Sequence, residues 1–96
     1  MKENKFQKET IDEIKKRLPG SIVMKMDAGY IQGIPDILVL YQDKWAALEF
    51  KRSEGASHRP NQEYYVEKMN QMSFSAFIFP ENKERVLNEM ERSLRP

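Results

Sequence analysis

"GIPDILVLYQDKWAALEFKR", residues 33–52, sets two apolar runs, DILVLY (36–41) and WAALEFKR (45–52), on either side of the polar connection QDK. A connection this short returns the chain beside itself, so the second run is expected to pair antiparallel with the first. Side chains alternate across a pleated strand, which puts Ala46, Leu48 and Phe50 on one face and Trp45, Ala47, Glu49 and Lys51 on the other. Asp36 shares its face with Leu38 and Leu40 and follows a Gly33-x-Pro35 turn that fixes its backbone. Because the start of one strand then lies opposite the end of the next, Asp36 is predicted to neighbour Glu49 and Lys51.

Working outward, Ile11, Ile14 and Leu18 recur at helical spacing from about Glu3 to Leu18, and "LPG" stops that helix. "SIVMKMD" (21–27) reads as a strand and "AGYIQGIP" as a loop. After the Gly/Ser-rich basic loop "KRSEGASHR" (51–59), "PNQEYYVEKMNQM" (60–72) opens with Pro and carries Tyr65, Val66 and Met69 on one stripe. "SFSAFIF" (73–79) is a further strand, and "PENKERVLNEMERSL" (80–94) a second Pro-initiated amphipathic helix. The order αβββαβα predicts an α/β fold, a mixed central sheet covered by helices.

Ninety-six residues make one domain, residues 1–96, with a single modest core, and self-association is an expected source of extra burial. A net charge of +1 does not announce a polyanion partner, so any such argument is local to Lys51, Arg52 and Arg59. With no cysteine, a disulfide framework, thiolate zinc ligation and a cysteine nucleophile are excluded. No apolar run reaches membrane-spanning length, and "MKENKFQKET" has no signal-peptide core, so a soluble intracellular protein is expected.

Two carboxylates and an ammonium at one place suit phosphodiester hydrolysis. The hard oxygens of Asp36 and Glu49 match Mg²⁺ or Mn²⁺, which lowers the pKa of bound water and screens charge on a scissile phosphate. Lys51 is placed to orient or deprotonate the water or to stabilise the transition state. A structural ion pair of Lys51 with either acid is the other reading of the same residues.

The sequence also resembles a known family. "PD" at 35–36 followed by "EFK" at 49–51 is similar to the PD-(D/E)xK nuclease signature, and the αβββαβ order with a C-terminal helix resembles that superfamily's restriction-endonuclease-like core. "GIPD", "LEFKR" and "RPNQEYY", with Gln62 and Tyr65 as a Q-x-x-Y step, resemble the virus-type replication-repair nuclease (VRR-NUC) domain over nearly the whole chain. The resemblance implies a metal-dependent DNA endonuclease with Asp36 and Glu49 as metal ligands and Lys51 as the catalytic lysine. It further implies likeness to small phage proteins that act as homodimers on branched DNA such as Holliday junctions. Flaps, ends or linear duplex are alternative substrates, and a non-catalytic DNA-binding module of the same fold is the alternative outside enzymes.

The family also carries a glutamate on its first helix. A helical wheel groups Glu3 with the inward stripe of Gln7, Ile11, Ile14 and Leu18 and leaves Glu9 and Glu13 opposite, so Glu3 is the expected third metal ligand. Gln62 shares the stripe of Tyr65, Val66 and Met69, where a polar amide needs a partner; it is expected to face the site with Tyr65 in support, unless it stays at the solvent rim. DNA contacts are expected from Lys51, Arg52, Arg59 and the only histidine, His58, whose other reading is plain surface polarity. Lys25 reads as a solvated edge-strand lysine. Trp45, Tyr30 and Phe6 are open between core and dimer contacts.

Overall fold

A computed structural model describes the backbone of residues 3–96 and the side chains of residues 4–96. The elements run α1 (Glu3–Arg17), β1 (Ile22–Lys25), β2 (Ile37–Tyr41), β3 (Lys44–Phe50), α2 (Pro60–Met72), β4 (Phe74–Ile78) and α3 (Lys83–Leu94). The strands form one mixed sheet in the order β1-β2-β3-β4, antiparallel except for the parallel β3–β4 pair. Gln42 and Asp43 make a two-residue turn between β2 and β3, with Gln42 at φ 56, and Tyr41 pairs with Lys44 to close it. Among the described residues no helix is long and apolar enough to cross a membrane.

One face of the sheet makes the core. Ile37, Val39 and Tyr41 of β2, Ala46, Leu48 and Phe50 of β3, and Ile78 of β4 are buried against Phe6 and Ile14 of α1, Leu18 just past its end, and Val86, Leu87, Met90 and Leu94 of α3. The buried stripe of α1 is Phe6, Thr10 and Ile14, continued by Leu18 just past its end, and it is turned from the expected one so that Gln7 and Ile11 are only half-buried. Phe6 causes the turn: its ring meets Phe50 edge-on at 5.8 Å, a contact that outweighs the burial of Gln7.

Helix α2 packs on the other face, over β3 and β4, and buries Val66 there. The register lays out that face in rows: Ile22, Leu40 and Trp45 form one, and Met24, Leu38, Ala47 and Ser75 the next. The β1 side is left uncovered, with Ile22 58% and Met24 46% exposed. At the β4 edge, by contrast, Asn82 accepts the Phe79 N–H (2.8 Å) and donates to the Phe77 carbonyl (3.1 Å), while Asn70 accepts the Ser75 N–H (3.0 Å). With its side chain spent on the strand, Asn82 leaves the last helix to start at Lys83 rather than at Pro80.

Candidate active site

The third row holds the acids. Asp36 and Glu49 follow directly on the Ile37–Leu48 pair that ends the β2–β3 register, and Glu49 pairs with Phe77 on β4. Asp36 is held at both ends: its carbonyl accepts the Met26 N–H (2.9 Å) and its Oδ2 accepts the Phe50 N–H (2.8 Å) that β3 directs at β2. Pro35 before it is buried, so the backbone entering β2 has little freedom.

Glu49 is only 4% exposed, an environment in which a carboxylate requires hydrogen-bond donors or positive charge. Gln62 supplies one donor, its Nε2 lying 3.2 Å from Glu49 Oε2. The amide is oriented from its other end, where Gln62 Oε1 accepts from Lys51 Nζ (2.7 Å) and from the Arg59 N–H (3.2 Å). Two donors on the oxygen leave the nitrogen facing the carboxylate. Gln62 thus joins Lys51 to Glu49 across the sheet-facing side of α2, at the third position of the helix, where its oxygen also caps the first turn.

Around these groups lies a cleft of about 310 Å³. Ala28, Gln32, Gly33 and Ile34 form one wall, Arg59, Pro60, Asn61 and Gln62 the other, and Asp36 and Glu49 lie between. The walls touch at Gly33, which sits at φ 91 and so close to α2 that an added Cβ would lie 2.4 Å from Asn61 Cβ. Glycine is required there for both reasons.

Of the other residues singled out in the sequence, Lys51 is half-buried, with Nζ 6.0 Å from the Phe77 ring centre, and its backbone N–H extends the sheet to the Ile78 carbonyl (2.9 Å). Arg59 is exposed at the cleft, and Arg52 is exposed on the adjoining loop. His58 is not a cleft residue: it stacks on Phe77 at 3.8 Å and lies 3.7 Å from the Glu63 carboxylate. Tyr65 is half-buried and meets Tyr64 edge-on at 5.0 Å. Lys25 is exposed on the edge strand, beside Gln7 and Ile11 of α1.

The side chain of Glu3 lies outside the described residues. Its backbone begins α1 one turn before Phe6, whose ring rests on Phe50, so the start of the helix is near the end of β3 that bears Glu49 and Lys51. Glu9 instead pairs with Lys5 (4.0 Å), and Glu13 with Lys83 (2.9 Å) and Arg17 (2.8 Å). The Lys83 hydrogen bond, then that of Arg17, holds the Glu13 carboxyl below its ordinary value despite partial desolvation. Among the described residues no three His, Cys, Asp or Glu side chains converge as a ready-made metal cage. Two carboxylates lining one cleft are nevertheless the hard-oxygen donors that Mg²⁺ or Mn²⁺ takes, leaving further positions to water or phosphate. Asn61 and Phe77 escaped the sequence reading because their roles rest on contacts with Gly33, Lys51 and His58 that no local pattern encodes.

With this geometry in hand, the chain proves similar to two solved structures. One is a VRR_NUC domain, with TM-score 0.72 and 20% identity, covering 90% of this chain and 94% of that one. The other is Hjc of Archaeoglobus fulgidus, a Holliday junction resolvase, with TM-score 0.54 and 14% identity, covering 79% of this chain and 67% of that one. The chain therefore has the fold of that VRR_NUC domain structure, shared more loosely with the resolvase. No family model matches the sequence, and no curated protein does.

Proposed function

We propose that this protein is a Mg²⁺- or Mn²⁺-dependent DNA endonuclease that acts on branched DNA, Holliday junctions included, as a homodimer. The observation that carries the reading is that Asp36 and Glu49 line one cleft, where Gln62 ties Glu49 to Lys51. Likeness to a VRR_NUC domain and to a Holliday junction resolvase supports it.

Asp36, Glu49 and, from the start of α1, Glu3 would hold the ion. When bound, it supplies a Lewis acid that acidifies water and screens the scissile phosphate. The chain does the rest. Lys51 exchanges its bond to Gln62 Oε1 for a phosphate oxygen and stabilises the charge that grows there as one P–O bond forms and another breaks. Gln62 keeps the Glu49 carboxylate turned into the cleft. Arg59, at the N-terminus of α2, meets the neighbouring phosphate where the helix dipole also favours an anion.

The dimer reading rests on the two apolar rows beside the acids. Ile22 and Met24 are too exposed, and too continuous with Leu40, Leu38 and Trp45, to be scattered surface residues. A second copy on the same patch would be related by a two-fold axis, as are the strands of a four-way junction, and would set two clefts on one side. Met24→Glu is expected to halve the mass measured by sedimentation while the chain stays folded by circular dichroism.

Labelled junction, flap and linear duplex DNA incubated with Mg²⁺, Mn²⁺ or Ca²⁺ test the enzyme. Cleavage under Mg²⁺ or Mn²⁺, lost in Asp36→Ala and Lys51→Ala while DNA is still bound in Ca²⁺, is the expected result. Binding with no cutting under any divalent ion would make the protein a DNA-binding module instead.

A further inference from the structure

Tyr30 is 86% exposed, the most exposed large apolar side chain among the described residues. It lies in the loop between Ala28 and Gln32, which both line the cleft with Asp36 and Glu49, and its own ring stands in solvent beside that wall. Nothing about it is loosely held at the backbone. Asp27 Oδ1 accepts the Gly29 N–H at 2.7 Å, and the Asp27 carbonyl accepts the N–H groups of Tyr30 (3.1 Å) and Ile31 (3.3 Å). The Ile34 N–H closes a second turn on the Ile31 carbonyl (3.2 Å), and Gly33 locks the segment against Asn61 of α2. An aromatic ring is thus carried into solvent by a loop that is already ordered, so a planar partner meets it without the entropy loss of folding a loop around itself.

The two walls of the cleft differ in chemistry. Arg59 stands on one, with Lys51 behind it on Gln62, and these fit phosphate; the loop that forms the other carries Tyr30 beside the cleft, and its ring fits a base. In continuous duplex every base face is already covered by its neighbours, and Tyr30 has nothing flat to receive. A base freed from its stack at a branch or flap offers an open face.

We infer that Tyr30 is a stacking residue that recognises an unpaired base beside the scissile phosphate, and so favours branched over continuous DNA. The inference rests on the nuclease reading of the cleft and names what that cleft selects.

The test uses the full chain in Ca²⁺, with two DNA probes of one sequence: a branched probe with 2-aminopurine unpaired at the branch, and a fully paired duplex. The wild type and Tyr30→Trp are expected to quench the 2-aminopurine and to bind the branched probe better than the duplex. In Tyr30→Ala that preference ratio should fall roughly tenfold, the scale of one aromatic–base stack. An unchanged ratio in Tyr30→Ala, or no quenching by the wild type, overturns the proposal. So does a fall in sedimentation mass in Tyr30→Ala, which would make the ring a contact between copies of the chain. Cleavage in Mn²⁺ separates the two readings: Tyr30-dependent preference without cutting keeps this assignment and removes the nuclease, whereas cutting with the ratio intact in Tyr30→Ala does the reverse.

Discussion

The two faces of the sheet are built from alternate residues of the same strands, yet they follow opposite rules. Toward α1 and α3 lie Ile37, Val39, Leu48, Phe50 and Ile78, buried and wholly apolar. Toward α2 the same strands present Asp36 and a nearly buried Glu49, then apolar rows whose β1 end, Ile22 and Met24, is left exposed. The first face concentrates stability. On the second, a carboxylate taken out of water lowers stability, and its retention is intelligible if the group is needed for chemistry. Period-two alternation is what allows one short chain to do both.

The largest effect expected separates these faces outright. Glu49→Gln keeps the shape and can still accept from Gln62 Nε2, but removes a charge from a buried site. Divalent-dependent cleavage should fall by roughly a thousandfold or more, since a metal-held transition state is worth several kcal/mol. The melting temperature should stay level or rise. A large drop in melting temperature with activity kept would show Glu49 to be structural and erase the contrast.

Leu87→Ala tests the opposite face. Leu87 is fully buried in α3, remote from the cleft, and its truncation should cost about 2–5 kcal/mol in urea unfolding. Cleavage per folded molecule should not change at temperatures below the transition.

Gly33→Ala probes the joint between the 27–35 loop and α2. Alanine at φ 91 is strained, and its Cβ would displace Asn61, next to Gln62. A stability loss of about 2 kcal/mol is expected. Because the displaced residue adjoins the amide that orients Glu49 and Lys51, turnover should fall more than DNA affinity in Ca²⁺.

Much of the second face was legible in the sequence because it is local. The QDK connection fixes the hairpin, the hairpin fixes the register, and the register brings Asp36 and Glu49 to the same end of it, where both line the cleft. Pro60 likewise marks the start of α2, and Val66 its buried side. What escaped depends on contacts between distant segments. Phe6 on Phe50 turned the first helix, and Asn82 spent its side chain on the β4 edge and delayed the last one. Each is a choice among partners that a helix or strand pattern does not rank.

The smallest expected effect lies at the rim of the stable face, where Arg17 ties the end of α1 to α3. Its guanidinium reaches Glu13 (2.8 Å), Glu84 (3.0 Å) and Asn88 (2.8 Å), and Lys83 meets Glu13 from α3 at 2.9 Å. Glu13 is the group that titrates, its carboxyl lowered from 4.5 by Lys83 first and Arg17 after. A depressed acid contributes stability that is fully present above its unfolded-state value and is lost as pH falls through the lower folded one. The tie should therefore hold at neutral pH and weaken only below about pH 4.5. Arg17→Ala should cost about 1 kcal/mol at pH 7 and low salt, less at high salt, because its partners are partly exposed. At a pH low enough to protonate Glu13, variant and wild type should move toward convergence in urea midpoint, with only the Arg17–Asn88 hydrogen bond still separating them. Such convergence, with cleavage at neutral pH untouched by the substitution, would show that the stable face can be loosened at its edge without reaching the acids on the other side.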